Sequence, residues 1–127
     1  MRAVLDTSVL IAGGLRALPG ELAISAVSLA ELHFGVLVAR TDEQRARRLR
    51  LVTSLERSFD PLPVDEAVAA SYGQLAAAVV TAGRHPRARS LDLLIAATAH
   101  AHQARLYTRN VDDFRGLEGL LEVLEPA

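Results

Sequence analysis

Four short apolar runs alternate along this chain with longer helical stretches, and this alternation is the feature that most constrains the fold. The apolar runs are 3–5, 22–26, 106–108 and 121–124. The stretches of helical character are 28–38, 41–57, 65–82 and 91–103. Because the short runs do not alternate strictly with polar residues, they are typical of strands buried on both faces of a parallel sheet. We therefore predict an α/β fold, a three-layer α/β/α sandwich with a mostly parallel central sheet.

Local signals predict where the helices begin, and these positions are Ser28, Thr41, Asp65 and Ser90. Ser28 is followed three residues later by Glu31, a spacing that has the form of a capping box. In that interpretation the Glu31 carboxylate accepts a hydrogen bond from the backbone amide of Ser28 and has a structural role only. The segment 59–64 contains two prolines and is predicted to be a short strand or an extended link.

The length and composition of the chain exclude several classes of protein. A chain of 127 residues without a linker or a repeat is predicted to form a single domain, 1–127. The absence of cysteine excludes disulfides, a thiol nucleophile and a thiolate zinc site. No apolar run approaches the roughly 20 residues that a membrane helix needs. Asp6 stands where a signal peptide would be apolar, so we expect a cytoplasmic protein that contacts no membrane.

All 14 basic residues are arginine, which excludes sites that depend on lysine, such as the phosphate-binding P-loop. The formal net charge of −1 provides no overall attraction to nucleic acid, so local arginine clusters would have to make any RNA contact. The best candidate cluster is Arg84, Arg87 and Arg89, which leads directly into the stretch that carries Asp92. The alternative for this segment is an ordinary solvated polar loop.

Acidic residues follow the predicted strands or lie in the first turns of the predicted helices. Asp6 ends the first apolar run, and Glu31 and Asp92 lie in first turns. Asp112 and Asp113 follow the third apolar run. In a parallel sheet, strand ends and the starts of the helices that follow them gather along one edge. We therefore expect these carboxylates to converge, although each except Asp6 also has a local structural explanation as a capping or helix-dipole residue.

Carboxylates that converge repel one another unless a cation neutralises them. Oxygen ligands at that density suit Mg²⁺ or Mn²⁺ rather than zinc. A hard cation held in this way typically activates a water molecule and stabilises negative charge on a phosphate. The pattern therefore predicts metal-assisted phosphodiester hydrolysis. An aspartyl-phosphate phosphatase is disfavoured, because Asp6 lacks a second acid two residues further on and the chain has no lysine.

Four stretches of the sequence resemble the PIN domain, and most closely the VapC-type ribonuclease toxins of bacterial toxin–antitoxin pairs. These stretches are 4–8, 25–32 with Gly35 following, 92–99 and 108–114. They occur in the order found in the family and span nearly the whole chain. The resemblance implies the same three-layer fold. The segment between Asp6 and Glu31 is shorter than in many relatives, and the missing part would come from 11–20.

The resemblance also assigns site residues. It implies that the catalytic acids are Asp6, Glu31, Asp92 and Asp113. Among them Asp6, Asp92 and Asp113 would hold Mg²⁺ or Mn²⁺, while Glu31 would bind the ion or orient the attacking water. The polar positions that would support the metal and its waters are Thr7, Ser8, Thr108 and Asn110. Asp113 precedes Phe114 and fits the family pattern better than Asp112, but the choice between these neighbours stays open.

The implied function is an endoribonuclease toxin that cleaves transfer, ribosomal or messenger RNA and leaves a 5′-phosphate and a 3′-hydroxyl. The resemblance further implies a homodimer and a cognate VapB-like antitoxin that blocks the site. The arginines of 84–89 would then contact RNA or the antitoxin. The alternative is a catalytically inactive PIN-fold binding module that forms a complex with a small antitoxin-like partner.

Overall fold

The structure is a computed structural model that describes residues 2–127, and its centre is a sheet of parallel strands. The strands are β1 (Arg2–Leu5), β2 (Glu21–Ala23), β3 (Arg105–Tyr107) and β4 (Val123–Leu124). Their order across the sheet is β2-β1-β3-β4, and every neighbouring pair is parallel. β1 and β3 are therefore the inner strands, which explains why their sequences are almost continuously apolar.

The register of the sheet aligns the ends of the two inner strands. Leu5 pairs with Tyr107, and the backbone amide of Asp6 donates a hydrogen bond of 2.9 Å to the Tyr107 carbonyl. The amide of Thr108 donates a bond of the same length to Leu124. Asp6 and Thr108 therefore leave the sheet side by side at its carboxyl-terminal edge.

Helices cover both faces of the sheet. They are α1 (Thr7–Ala12), α2 (Ala26–Leu37), α3 (Asp42–Ser58), α4 (Glu66–Thr81) and α5 (Ser90–Ala101). Leu5 packs in one apolar core with residues of α1, α2 and α3, whereas Val4 packs in a second core with residues of α4 and α5. The side chains of neighbouring residues in β1 thus point to opposite faces of the sheet, as the geometry of a strand requires. The predicted three-layer α/β/α architecture is confirmed.

Three of the four predicted helix starts agree with the structure. Thr41 accepts a hydrogen bond of 3.0 Å from the amide of Gln44 at the start of α3, and Asp65 accepts one of 3.0 Å from Val68 at the start of α4. α5 begins at Ser90 and ends at Ala101, two residues earlier than predicted. None of the helices within residues 2–127 is long and apolar enough to span a membrane.

The predicted start of α2 at Ser28 is wrong, because Ser25 caps this helix. The Ser25 hydroxyl accepts a hydrogen bond of 3.0 Å from the amide of Val27. A parallel bridge to Leu62 keeps the backbone extended as far as Ser25, so the helix begins at once after it. Ser28 is then a buried residue of the helix itself, and the capping box with Glu31 does not form. The same bridge shows that 59–64 is an extended link.

Three short 3₁₀ turns complete the described chain, and they are Leu15–Ala17, Pro86–Arg89 and Val111–Phe114. Gly116, two residues after the last of them, lies close to the end of α4. This glycine has a φ of +101°, and a Cβ atom built on it would lie 3.1 Å from Cβ of Ala82. The chain that follows the turn of Asp113 therefore approaches α4 at a position that favours glycine.

We expect Gly116→Ala to destabilise the protein by roughly 1–3 kcal/mol, because it adds both a strained backbone conformation and a steric overlap. Urea unfolding measures the change. Gly119→Ala is the matched control, since a Cβ there meets no heavy atom within 4 Å and the backbone is not in the left-handed region. Equal free energies of unfolding for the two variants would contradict the assigned role of Gly116.

Candidate active site

The carboxylate of Asp6 is held at the carboxyl-terminal edge of the sheet by two hydroxyl groups. Ser8 Oγ and Thr108 Oγ1 both donate to Asp6 Oδ2, at 2.7 and 2.9 Å. The two hydroxyl oxygens in turn accept hydrogen bonds of 3.1 Å from the backbone amides of Arg109 and Asn110. Asp6 is only 5% exposed, so its charge would be unfavourable without hydrogen bonds. The two hydroxyl donors stabilise the buried carboxylate.

Glu31 enters the same region from α2. Its Oε1 accepts a hydrogen bond of 2.7 Å from Thr7, the first residue of α1. Oγ1 of Thr7 also lies 2.9 Å from Oγ of the buried Ser28. Because α2 begins at Ala26 and not at Ser28, Glu31 has no capping role. Its carboxylate instead contacts Thr7 of α1.

Asp92 and Asp113 are joined by Arg89. Asp92 lies in the first turn of α5 and Asp113 lies in the 3₁₀ turn Val111–Phe114. Arg89 Nη2 is 3.1 Å from Asp113 Oδ1, and Nη1 is 3.7 Å from Asp92 Oδ2. The neighbouring Asp112 is exposed and forms no side-chain ion pair within residues 2–127. The geometry therefore favours Asp113 over Asp112 as the fourth acid of the site.

The four acids share one electrostatic environment. Burial raises the pKa of Asp92 above its ordinary value of 3.8, and repulsion from Asp6 and then Glu31 raises this pKa further. Arg89 acts in the opposite direction, and Asp113 adds a smaller repulsive contribution. Asp6, Glu31 and Asp113, which lie on three other segments of the chain, therefore all repel the charge of Asp92.

Each of these carboxylates has at least one oxygen that accepts no hydrogen bond from residues 2–127. Asp6 and Glu31 each accept hydrogen bonds through one oxygen, which leaves Asp6 Oδ1 and Glu31 Oε2. Asp92 and Asp113 are contacted by Arg89 as ion pairs, and neither accepts a hydrogen bond from the described residues. Such hard oxygen donors suit Mg²⁺ or Mn²⁺. Within the described residues, no group of three or more His, Cys, Asp or Glu side chains is close enough to form a metal cage. In this arrangement the cation that contacts Asp92 and Asp113 is the Arg89 guanidinium.

The remaining predicted residues differ in their surroundings. Asn110 takes part in the site through its backbone. Its amide donates a hydrogen bond to Thr108 Oγ1, and its carbonyl accepts one of 3.0 Å from the amide of Asp113. Arg84 Nη1 donates to the carbonyls of Asp112 and Arg115, both at 3.2 Å. The side chain of Arg87 is exposed and forms no hydrogen bond or ion pair to the rest of the described chain.

Sequence reasoning missed three of these contacts: the link from Thr7 to Glu31, the double contact of Arg84 and the ion pairs of Arg89. A signal was present for the pair of Arg89 and Asp92, because residues three apart are neighbours on a helix. No local signal could have found the contacts of Arg84, since its partners are backbone carbonyls about thirty residues away in sequence.

Comparison with known proteins decides the family. The family model described as PIN domain matches residues 3–120. The chain belongs to the PIN domain family. This PIN domain is 39% identical over 126 residues to ribonuclease VapC5 of Mycobacterium tuberculosis, covering 94% of this chain and 90% of that protein. It is 32% identical over 135 residues to ribonuclease VapC1 of Rickettsia felis, covering 98% and 96% of the two chains.

Solved structures agree with this assignment. The PIN domain superimposes with a TM-score of 0.87 and 37% identity on a chain of VapBC-5, a toxin–antitoxin system of Mycobacterium tuberculosis. The superposition covers 98% of both chains. A chain of FitAcB from Neisseria gonorrhoeae matches with a TM-score of 0.78 and 29% identity, covering 98% of this chain and 97% of that chain. The predicted family resemblance is confirmed.

The charge repulsion at Asp92 predicts a stabilising substitution in this PIN domain. Because the folded-state pKa of Asp92 is raised, its ionised form costs stability at neutral pH. The cost decreases as the pH falls through the raised pKa and is lost below the ordinary value of 3.8, where the carboxyl is protonated in both states. In metal-free buffer at pH 7 we expect Asp92→Asn to raise the melting temperature by a few degrees, a typical change for one unfavourable charge interaction.

Thermal unfolding between pH 4 and pH 8 measures this effect. The gain from Asp92→Asn should be constant near neutral pH and should shrink as the pH falls through the raised pKa of Asp92 towards pH 4. Asp112→Asn removes the same charge from an exposed position and serves as the control, with a smaller change that does not follow this trend. A gain from Asp92→Asn that grows on acidification would show that the assigned repulsion is absent.

Proposed function

We propose that this chain is a metal-dependent endoribonuclease toxin that hydrolyses RNA phosphodiester bonds and is inhibited by a cognate antitoxin. The observation that carries the proposal is the meeting of Asp6, Glu31, Asp92 and Asp113 at one edge of the sheet, where their charges interact. The relatives named ribonuclease and the toxin–antitoxin structures support the same conclusion.

In this proposal the side chains of Asp6, Asp92 and Asp113 would close around Mg²⁺ or Mn²⁺, because in the metal-free arrangement no three of them are near enough to form a cage. Glu31 would bind the ion or orient the attacking water. A bound cation of this kind lowers the pKa of a water ligand and stabilises charge on the phosphate. The chemistry of the donor set fits such an ion, because all four groups are oxygen donors and each has an oxygen that accepts no hydrogen bond from the described residues.

The hydroxyl groups of the site act as positioning groups. Ser8 and Thr108 fix the rotation of the Asp6 carboxylate through one of its oxygens, and Thr7 does the same for Glu31. Asn110 supports Thr108 through its backbone amide and the turn of Asp113 through its carbonyl. Carboxylates held in this way are preorganised, which reduces the cost of ordering them when a cation binds.

Arg87 is the arginine of 84–89 best placed to contact an RNA phosphate or an acidic segment of an antitoxin. Its side chain is exposed and has no partner within residues 2–127, whereas Arg84 and Arg89 are engaged in contacts of their own. Because phosphate contacts by arginine add affinity without reading sequence, this role does not restrict the choice among transfer, ribosomal and messenger RNA.

We also propose a VapB-like antitoxin, a homodimer, a single domain over 1–127 and a cytoplasmic location. The match over nearly the full length of the relatives supports the single domain. The end of α2 exposes Phe34, Leu37 and Val38, which are 67%, 78% and 50% accessible. Adjacent apolar side chains that remain this accessible support a protein interface on α2.

The proposal is tested with purified protein, free of antitoxin, on total cellular RNA and a transfer RNA pool, with Mg²⁺ or Mn²⁺ and with EDTA. We expect discrete fragments that disappear in EDTA. Asp113→Asn should slow cleavage by about 100-fold or more, because it removes a carboxylate on which the cation depends. Asp112→Asn changes the adjacent exposed residue in the same way and should cleave within about twofold of the parent.

The outcomes separate the two candidate functions. Equal losses in the Asp113 and Asp112 variants, with both folded by circular dichroism, would show that the fourth acid is wrongly assigned. Absence of cleavage by the parent, in a folded sample that binds Mn²⁺, would argue against the nuclease and favour the inactive binding module. Sequencing the fragment ends would identify the RNA that is cut.

A further inference from the structure

The guanidinium group of Arg89 lies between two carboxylates of the acidic site. One terminal nitrogen is 3.1 Å from Asp113 Oδ1 and the other is 3.7 Å from Asp92 Oδ2. The planar fork of arginine suits such a bridge between two groups. Arg89 thereby ties the first turn of α5 to the 3₁₀ turn Val111–Phe114, and it does so through charge rather than apolar packing.

The position of Arg89 allows this contact to be made and broken without unfolding. Arg89 is the last residue of the turn Pro86–Arg89 and the capping position of α5. Its side chain remains 47% exposed, so the guanidinium can move from the carboxylates to water without opening either apolar core. Arg84 is not a counter-ion of these carboxylates, because its hydrogen-bond partners are backbone carbonyls, which carry no net charge.

Charge makes Arg89 and a divalent cation competitors. Four carboxylates meet at this edge, and within residues 2–127 Arg89 is the one basic residue that forms an ion pair with Asp92 or Asp113. A divalent ion held by the same two aspartates would meet the guanidinium at a distance of a few ångströms, where like charges repel strongly.

We infer that Arg89 is an exchangeable counter-cation, which holds Asp92 and Asp113 together in the metal-free protein and leaves them when a divalent cation binds. This inference rests on the proposed function, since it assumes that the acidic site takes up such an ion. It assigns Arg89 as a positioning residue that sets the metal affinity of the site and protects the metal-free fold from the repulsion of its own acids.

Titration calorimetry with Mn²⁺ on the antitoxin-free protein tests the inference directly. We expect Arg89→Gln to bind Mn²⁺ roughly threefold to tenfold more tightly than the parent, because a partly exposed charge-assisted contact no longer has to be broken. Arg87→Gln is the matched control. It removes the same charge at a position two residues from Arg89, and the Arg87 side chain forms no ion pair in the described chain. Its affinity should stay within about twofold of the parent.

Thermal unfolding gives a second readout that does not depend on catalysis. In EDTA, Arg89→Gln should melt at a lower temperature than the parent, because the carboxylates lose their counter-cation. At saturating Mn²⁺ the two melting temperatures should converge, since in the metal-bound parent the ion pair is already broken. Arg87→Gln should differ from the parent by the same small amount under both conditions.

The results distinguish failure of the inference from failure of the proposed function. If the parent binds Mn²⁺ through Asp92 and the two arginine variants behave alike, the metal site stands and the exchange is wrong. Weaker Mn²⁺ binding by Arg89→Gln would show that the arginine prearranges the site instead of competing for it. If the parent gives no binding heat that Asp92→Asn removes, the metal-dependent function and the exchange both fail.

Discussion

The parallel pairing of β1 with β3 is the constraint on which the rest of the site depends. Three residue pairs fix the register of these strands, and the hydrogen bond from the Asp6 amide to the Tyr107 carbonyl continues it to the end of β1. Thr108 then emerges beside Asp6 and donates to its carboxylate. A shift of the register by one residue would turn the Thr108 side chain to the opposite face of the sheet and leave Asp6 buried without this donor.

The second requirement is to keep like charges together in the metal-free protein, and the molecule meets it in two ways. The buried Asp6 receives neutral hydroxyl donors, whose orientation is set by backbone amides. The more exposed Asp92 and Asp113 share the partly exposed cationic side chain of Arg89. This division follows the cost of burial, because a buried charge needs fixed hydrogen bonds, whereas a charge near the surface tolerates a partner that exchanges with solvent.

The fold and the approximate position of the site could be predicted because they follow from repeating patterns. Apolar runs in alternation with helices specify a covered parallel sheet, and acids at strand ends then share an edge. The start of α2 could not be predicted correctly, because it depends on the bridge between Ser25 and Leu62, which are distant in sequence. The preference of the sequence pattern for Asp113 over Asp112 stays a prediction. The contact of Asp113 with Arg89 could not be predicted, because it depends on the phase of a short 3₁₀ turn.

The four acids are attached to the fold with unequal rigidity. Asp6 directly follows an inner strand, and Glu31 and Asp92 belong to helices that pack on the sheet. Asp113 instead lies on a 3₁₀ turn that is held by the buried Phe114, by the close contact of Gly116 with Ala82, and by two arginines. Of these attachments only the Arg89 ion pair acts on the carboxylate itself. Substitutions in this turn and in 84–89 can therefore move the Asp113 carboxylate, while the strands and helices that define the fold stay as they are.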